Sequence, residues 1–368
     1  IHMNNYKGVN MINFKKVGLT ALAGSLAAVS AQAGEISVSG AANVTYVTGE
    51  TVHSAQAIGT DKDVKFSGSG ELDNGWSVAV HTTMTDAFAV SSSATVITMG
   101  SMGSVGFGTG GGTNVAGAYD EPNPTAYEET SDGDTSGSVS NDYVGNWADD
   151  NAIVYQAPAM DIGGATVNIG VEYSFQAGST TAADGVGIAR TSFGDGFGIG
   201  VKAAMGGLTV GVYGAERENT TPNDPTEDAV RDEFNGTWFA NYNFGPVSIG
   251  YQESYVDAGV TGSAEAVTAA KTVGTSAGIF EAQAMSIAFN VNDNLSVSYS
   301  EVEDTHDGQN AVSGADGEDS TMKTESLQIA YTMGSMSINA YSTETSNPNY
   351  DTDADNLNVN EIAIGLAF

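Results

Sequence analysis

The sequence holds 368 residues, with 47 Gly, no Cys, and 11 Lys+Arg against 45 Asp+Glu, for a formal charge of −34. Such a balance repels nucleic acid and leaves no basic patch to follow a phosphate backbone. The lack of Cys excludes thiol catalysis and disulfide scaffolding.

Taken in order, Ile1 to Asn10 read as an extension ahead of Met11. Lys15 and Lys16 precede an apolar run from Val17 to Val29, and Ala31-Gln32-Ala33 follows. A basic start, an apolar middle and an A-x-A site predict a secretory signal peptide cleaved after Ala33. The apolar run is short of the ~20 residues a transmembrane helix needs. Residues 34–368 are then the exported chain, three units more negative because Lys7, Lys15 and Lys16 are gone. No later stretch is apolar enough for a membrane helix. Three classes stay open for an exported chain of this kind: soluble, surface-attached, or a β-barrel in an outer membrane.

From Gly34 onward the period is two. Ile36, Val38, Val44 and Tyr46 oppose Ser37, Ser39, Asn43 and Thr45. Val64 and Phe66 oppose Lys65 and Ser67; Trp76, Val78 and Val80 oppose Ser77 and His81. The alternation repeats through Val167–Phe175, Phe197–Ala203, Leu208–Val212, Phe234–Phe244, Val247–Tyr251, Met285–Val291, Leu295–Tyr299, Leu327–Met333 and Met336–Ile338. Half-buried strands produce this pattern, and helices do not. Connectors alternate short and long. Short ones fall near Asn74, Ser101, Asp161, Gly206, Gly245, Asp293 and Gly334, and long ones lie between them. Seven short and eight long connectors predict sixteen strands in an all-β, antiparallel transmembrane barrel. A soluble sandwich has no reason to sort its loops by parity, whereas a membrane barrel has short turns at one end and long loops at the other. Closure also follows from lipid, where every backbone N–H and C=O must be paired.

One connector is far longer than the rest. Between Ser104–Thr109 and Asn151–Pro158, a strand ended by proline, about forty residues (roughly 110–150) lack any sustained period. They carry Gly110-Gly111-Gly112, Asp120, Glu121, Glu128, Glu129, the aromatics Tyr119, Tyr127, Tyr143 and Trp147, and no Lys or Arg. A loop of that length is functional or disordered.

No catalytic set emerges, and the sequence is read as a non-enzyme. His53 and His306 sit in loops, and only His81 lies on a strand. No G-x-S-x-G elbow lies beside a His/Asp pair, and the glycine run lacks a P-loop lysine. Asp351, Asp353 and Asp355 alternate like the first half of a calcium loop. The sixth position is not Gly and the twelfth is Ile362, so the set offers hard oxygens for Ca2+ without a complete loop.

The chain ends on Leu357–Phe368, an alternating strand with a terminal aromatic. This end, the start Glu35-Ile36-Ser37-Val38-Ser39-Gly40, the segment Gly103–Gly108 and Asn151–Pro158 together resemble Gram-negative general porins, the trimeric sixteen-stranded family. The resemblance covers essentially all of residues 34–368. It implies an outer-membrane channel for passive diffusion of small hydrophilic solutes and ions, a homotrimer in outer-membrane lipid, and Phe368 as the mark read by the barrel assembly machinery. It further implies that the third long loop folds into the lumen as a constriction. Loop carboxylates drawn from Asp120, Glu121, Glu128 and Glu129 would then face basic wall residues Lys65, His81, Lys202 and Arg190. Where porins of this kind often carry Arg after Gly108, this chain has Thr109, so the pore is expected to be net negative and cation-preferring. The alternatives are a barrel serving as adhesin or surface coat, and a soluble secreted β-protein.

Overall fold

The computed structural model describes residues 35–50, 57–85, 87–109, 112–130, 144–145, 152–175, 177, 193–220, 232–259, 266–272, 276–309 and 317–368. The expected signal peptide, residues 1–33, lies outside them.

The strands are β1 (Glu35–Glu50), β2 (Ala57–Glu71), β3 (Ser77–Met84), β4 (Val90–Thr98), β5 (Ser104–Thr109), β6 in two pieces (Ala152–Gln156 and Met160–Ile162), β7 (Ala165–Ser174) and β8 (Phe193–Met205). They continue as β9 (Leu208–Asn219), β10 (Glu233–Phe244), β11 (Val247–Asp257), β12 (Ile279–Asn292), β13 (Leu295–Asp307), β14 (Ser320–Met333), β15 (Met336–Ser346) and β16 (Leu357–Ala367). Each pairs antiparallel with the next, and β16 returns to β1 from Ala41↔Ala367 to Glu50↔Asn358. The sixteen-stranded closed barrel expected from the sequence is therefore formed. The seam ends on a reciprocal pair: the Gly40 amide donates to the Phe368 carbonyl (2.8 Å) and the Phe368 amide donates back (3.0 Å). The Phe368 ring lies where a Cβ on Gly40 would be, 2.5 Å from its Cε2, so glycine leaves room for the terminal aromatic.

Proline acts differently from expectation in β6. Instead of ending the strand, Pro158 interrupts it. Gln156 pairs with Gly170, and pairing resumes at Met160↔Val167 with one residue of slippage. Proline has no N–H for the ladder, so the chain bulges over it and continues. The short connector is consequently Gly163-Gly164, both at positive φ (61° and 89°). Asp161 sits inside the second piece, where it accepts a hydrogen bond from the Thr166 hydroxyl at 3.2 Å.

Burial is inverted relative to a soluble protein. Ile199, Val212, Trp238, Tyr242, Ile249, Ile287, Phe289, Leu327, Ile329, Ile338, Ile364 and Phe368 are exposed, while Asn235, Gln252, Ser298, Ser300, Ser326 and Gln328 are buried. An apolar outer band and a polar interior place the outside in hydrocarbon. The inversion holds only part-way along β11–β15. One outward row across these strands reads Ile249–Ile287–Tyr299–Leu327–Ser342; the next toward the long loops reads Tyr251–Met285–Glu301–Glu325–Glu344. Beyond that line the outward positions are Glu253, Gln283, Glu303 and Lys323. Among the inward ones, Val256, Phe280, Ala282, Val302 and Met322 form a buried apolar cluster with Ala284 and Tyr350, alongside the buried polar groups Ser254, Asp304, His306 and Ser320. The strands thus rise past the lipid as a collar with a polar outer face and an apolar cluster on its inner one. At its foot, the Tyr299 hydroxyl donates to Glu301 (3.2 Å) and to Glu325, and Lys323 pairs with Glu301 at 3.1 Å.

Candidate functional site

The insert after β5 lies inside the barrel, against the wall. Its course follows from the partners of successive residues. Thr113 packs against Gly106 and Gly108 of β5. The Val115 amide donates to Glu172 Oε2 (2.5 Å) on β7, whose Oε1 accepts the Tyr213 hydroxyl of β9 at 2.5 Å. Tyr119 stacks on Tyr213 (5.6 Å) and tilts against Phe239 of β10 (6.1 Å). Gln252 of β11 donates to the carbonyls of Tyr119 (3.0 Å) and Asp120, and Asn241 donates to the Pro122 carbonyl at 2.6 Å. The Ala126 amide reaches Ser298 Oγ of β13 (2.8 Å), and the Tyr127 amide reaches Gln328 Oε1 of β14 (2.9 Å). Finally the Tyr127 hydroxyl donates to Glu361 Oε1 of β16 at 3.1 Å while its ring stacks on Tyr341 (6.3 Å). Burial, then the carboxylates of Glu128 and Glu361, push the Tyr127 pKa far above the ordinary tyrosine value, so the phenol remains a donor.

Glycines on the inward face make this close docking feasible. An added Cβ would lie 2.9 Å from Val115 at Gly170, 2.5 Å from the Tyr119 ring at Gly200 and 2.4 Å from Pro124 at Gly250. A β-strand gives up packing where it carries Gly, and the reward is close approach of other backbone. Return of the insert is seen at Gly145, whose amide donates to Asn235 Oδ1 (3.1 Å). Gly110, Gly111, Tyr143, Trp147 and the acidic residues of 131–143 and 146–151 lie outside the described residues.

The expected loop carboxylates divide into two kinds. Glu121 is buried in a cleft between insert and wall, beside Asn123, Thr125, Gln252, Ala284 and Val302. Asp120 is half-buried and turns one oxygen onto the Glu121 amide (2.8 Å). Glu128 and Glu129 are half-buried on the same run, and Gln328 fixes the Glu128 carbonyl at 2.9 Å. On the wall, Lys65 is exposed and inward beside Asp63; His81 is half-buried, opposite Ser67 and one row from Lys65. His81 shares its row with Ala94 and Gly108, the level at which the insert leaves β5. Lys202 is buried under the insert, its Nζ 5.7 Å from the centroid of the Tyr119 ring. Arg190 lies outside the described residues. Two further inward groups hold the insert without having been singled out as site residues: Glu172 and Glu361. In the sequence, Glu172 stands on the polar face between outward Val171 and Tyr173.

Arg217 forms a buried pair with Glu233 (2.6 Å) and stacks over Phe193 at 3.5 Å. Asp351 accepts the Asp353 amide (2.9 Å), and Asp353 and Asp355 are exposed; among the described residues no three His or carboxylate groups form a metal-binding set.

Comparison with known proteins agrees with this geometry. The sequence signature described as Gram-negative porin matches residues 18–367. No curated protein sequence matches. Among solved structures, the chain is similar to Salmonella typhi OmpF in complex with daunomycin (TM-score 0.61, 14% identity, 90% of this chain and 97% of that one). It is similar to the loop L8 deletion mutant of OmpT, an outer membrane protein of Vibrio cholerae (TM-score 0.60, 15% identity, 92% and 100%). It is also similar to an anion-selective porin from Comamonas acidovorans (TM-score 0.55, 14% identity, 91% and 100%).

Proposed function

The chain belongs to the Gram-negative porin family, spanning the outer membrane as a multi-pass β-barrel, and we propose that it is a cation-preferring channel for small hydrophilic solutes and ions. The observation that supports the preference is the disposition of inward cations. Among the described residues, Lys202 is covered by Tyr119, Arg217 is bound to Glu233, and Lys271 and His306 are buried against backbone carbonyls, which leaves Lys65 and His81 on the open wall. Against them stand Asp61 and Asp63 on β2 and the loop carboxylates Asp120, Glu128 and Glu129. A lumen with excess carboxylate raises local cation concentration and excludes anions. Fold does not fix the sign, since one structure of similar fold is an anion-selective porin; side-chain charge must. No catalytic role is assigned to any residue.

Planar-bilayer recording of the refolded residues 34–368 tests the channel. Stepwise ohmic conductance supports it, and steps in threes support a trimer. A folded barrel that conducts nothing would instead favour the adhesin or coat role.

A further inference from the structure

The inner wall of the collar carries a buried apolar cluster among polar groups, and a wide water-filled mouth would not bury it. Val256, Phe280, Val302 and Met322 all point inward and all are buried. What covers them is chain from two different long connectors. The turn Pro348–Tyr350 brings Tyr350 in from the β15–β16 connector, and its ring packs on Phe280 (5.2 Å) and His306 (6.3 Å) and is fully buried. Residues 266–272 of the β11–β12 connector lie over it. The Lys271 amide donates to the Asn349 carbonyl (2.8 Å) and the Thr352 amide donates to the Val267 carbonyl (2.9 Å). Buried Lys271 directs its Nζ onto the carbonyls of Ala266 (2.9 Å), Ala269 (2.6 Å) and Tyr350 (3.5 Å). His306 Nε2 lies 3.0 Å from the Ala277 carbonyl, and the Asn347 side-chain amide donates to the Thr321 carbonyl at 2.8 Å. The turn is held in an unfavourable backbone state: Asn347, Asn349 and Tyr350 have φ of 50°, 55° and 60°. Asn accepts the left-handed region readily and Tyr does not, so the surroundings must enforce it.

We propose that this cap is a second size filter, set at the external mouth ahead of the insert and fixed by Tyr350 and Lys271. It occupies lumen on the β11–β14 side, so a solute must enter along the remaining wall before it reaches the insert. The cap has its own core and its own polar clamp, and it shares Ala284 and Val302 with the cleft that holds Glu121. Entry and constriction are therefore consecutive on one wall.

The proposal rests on the channel reading, and the test separates the two. Tyr350→Ala and Lys271→Met barrels are placed in liposomes, and swelling is followed with neutral mono-, di- and trisaccharides. Heat-modifiable migration confirms folding. Trypsin cleavage after Lys271, which burial protects in the native barrel, reports loss of the cap. The expected result is a several-fold rise in the trisaccharide-to-monosaccharide rate ratio in either folded variant, together with cleavage at Lys271 in Tyr350→Ala, which keeps the lysine. Should Tyr350→Ala fail to fold, Lys271→Met carries the test, since it removes the clamp and keeps the apolar core. An unchanged ratio in the folded variants overturns the filter, whether or not Lys271 becomes cleavable. A native protein that swells liposomes with no sugar would instead remove the channel reading itself.

Discussion

Glu172 is a wall residue that holds the insert near its start. One oxygen takes the Val115 amide and the other takes the Tyr213 hydroxyl, and all three groups are buried. Glu172→Ala would strand two donors, each costing about 1–3 kcal/mol when left without an acceptor. The barrel ladder does not depend on these bonds, so the expected outcome is a folded barrel with a loosened insert. It would be read as flickering open-channel current and faster proteolysis between residues 112 and 130. Quiet current in a folded variant would mean the insert is anchored elsewhere. Gly200 makes a complementary case. Gly200→Val drives a Cβ to within 2.5 Å of the Tyr119 ring, and the ring must leave its stack on Tyr213. Intrinsic tyrosine fluorescence and the same current noise would report that shift. The positions of the wall glycines were legible in the sequence. Which loop residue approached each was not, because that depends on the three-dimensional course of a segment without any period.

At the scale of the element, alternation located the strands because period two survives wherever one face meets lipid and the other meets polar groups. It misled at two places for physical reasons. Pro158 looked like a terminator but sits at a bulge, where a missing N–H is tolerated. In β11–β14 the polarity of the two faces exchanges above the row Ile249–Ile287–Tyr299–Leu327. Alternation continues across that line unchanged in period, so the sequence alone does not mark where lipid ends. The row position carries a prediction. Ile329 faces outward two residues below Leu327 on β14, inside the apolar band, whereas Lys323 faces outward above it. Ile329→Arg is expected to destabilise the barrel by about 2–4 kcal/mol if it lies near mid-bilayer. Lys323→Leu is expected to change stability by less than about 1 kcal/mol, since exposed ion pairs contribute little. Urea-dependent refolding into vesicles distinguishes them; equal effects would contradict the boundary. The closing strand adds another test. Gly40→Val displaces the Phe368 ring from the seam, and slower barrel closure is the expected result, measured as the time course of heat-modifiable product.

For the whole molecule, parity of loop length and the exposed apolar face define a membrane barrel, and the porin signature agrees with it. The candidate constriction was partly legible. Asp120, Glu128 and Glu129 were named through the porin resemblance, on an insert that the sequence shows to be acidic, and Lys65 and His81 as polar-face residues that the same resemblance sets opposite. The burial of Glu121 and Lys202 was not legible, because either face of a loop resting on a wall can carry charge. Among the described residues, the proposed ion path runs past Lys65 and His81 on β2 and β3 and past the carboxylates Asp120, Glu128 and Glu129 of the insert. The most direct measurement is the reversal potential across a planar bilayer under a KCl gradient, for the native protein and for the combined variant Asp120→Asn, Glu128→Gln and Glu129→Gln. A cation-selective native channel whose selectivity weakens in the variant is the predicted result. An anion-selective native channel, or a variant with unchanged reversal potential, would contradict the placement of these carboxylates on the ion path.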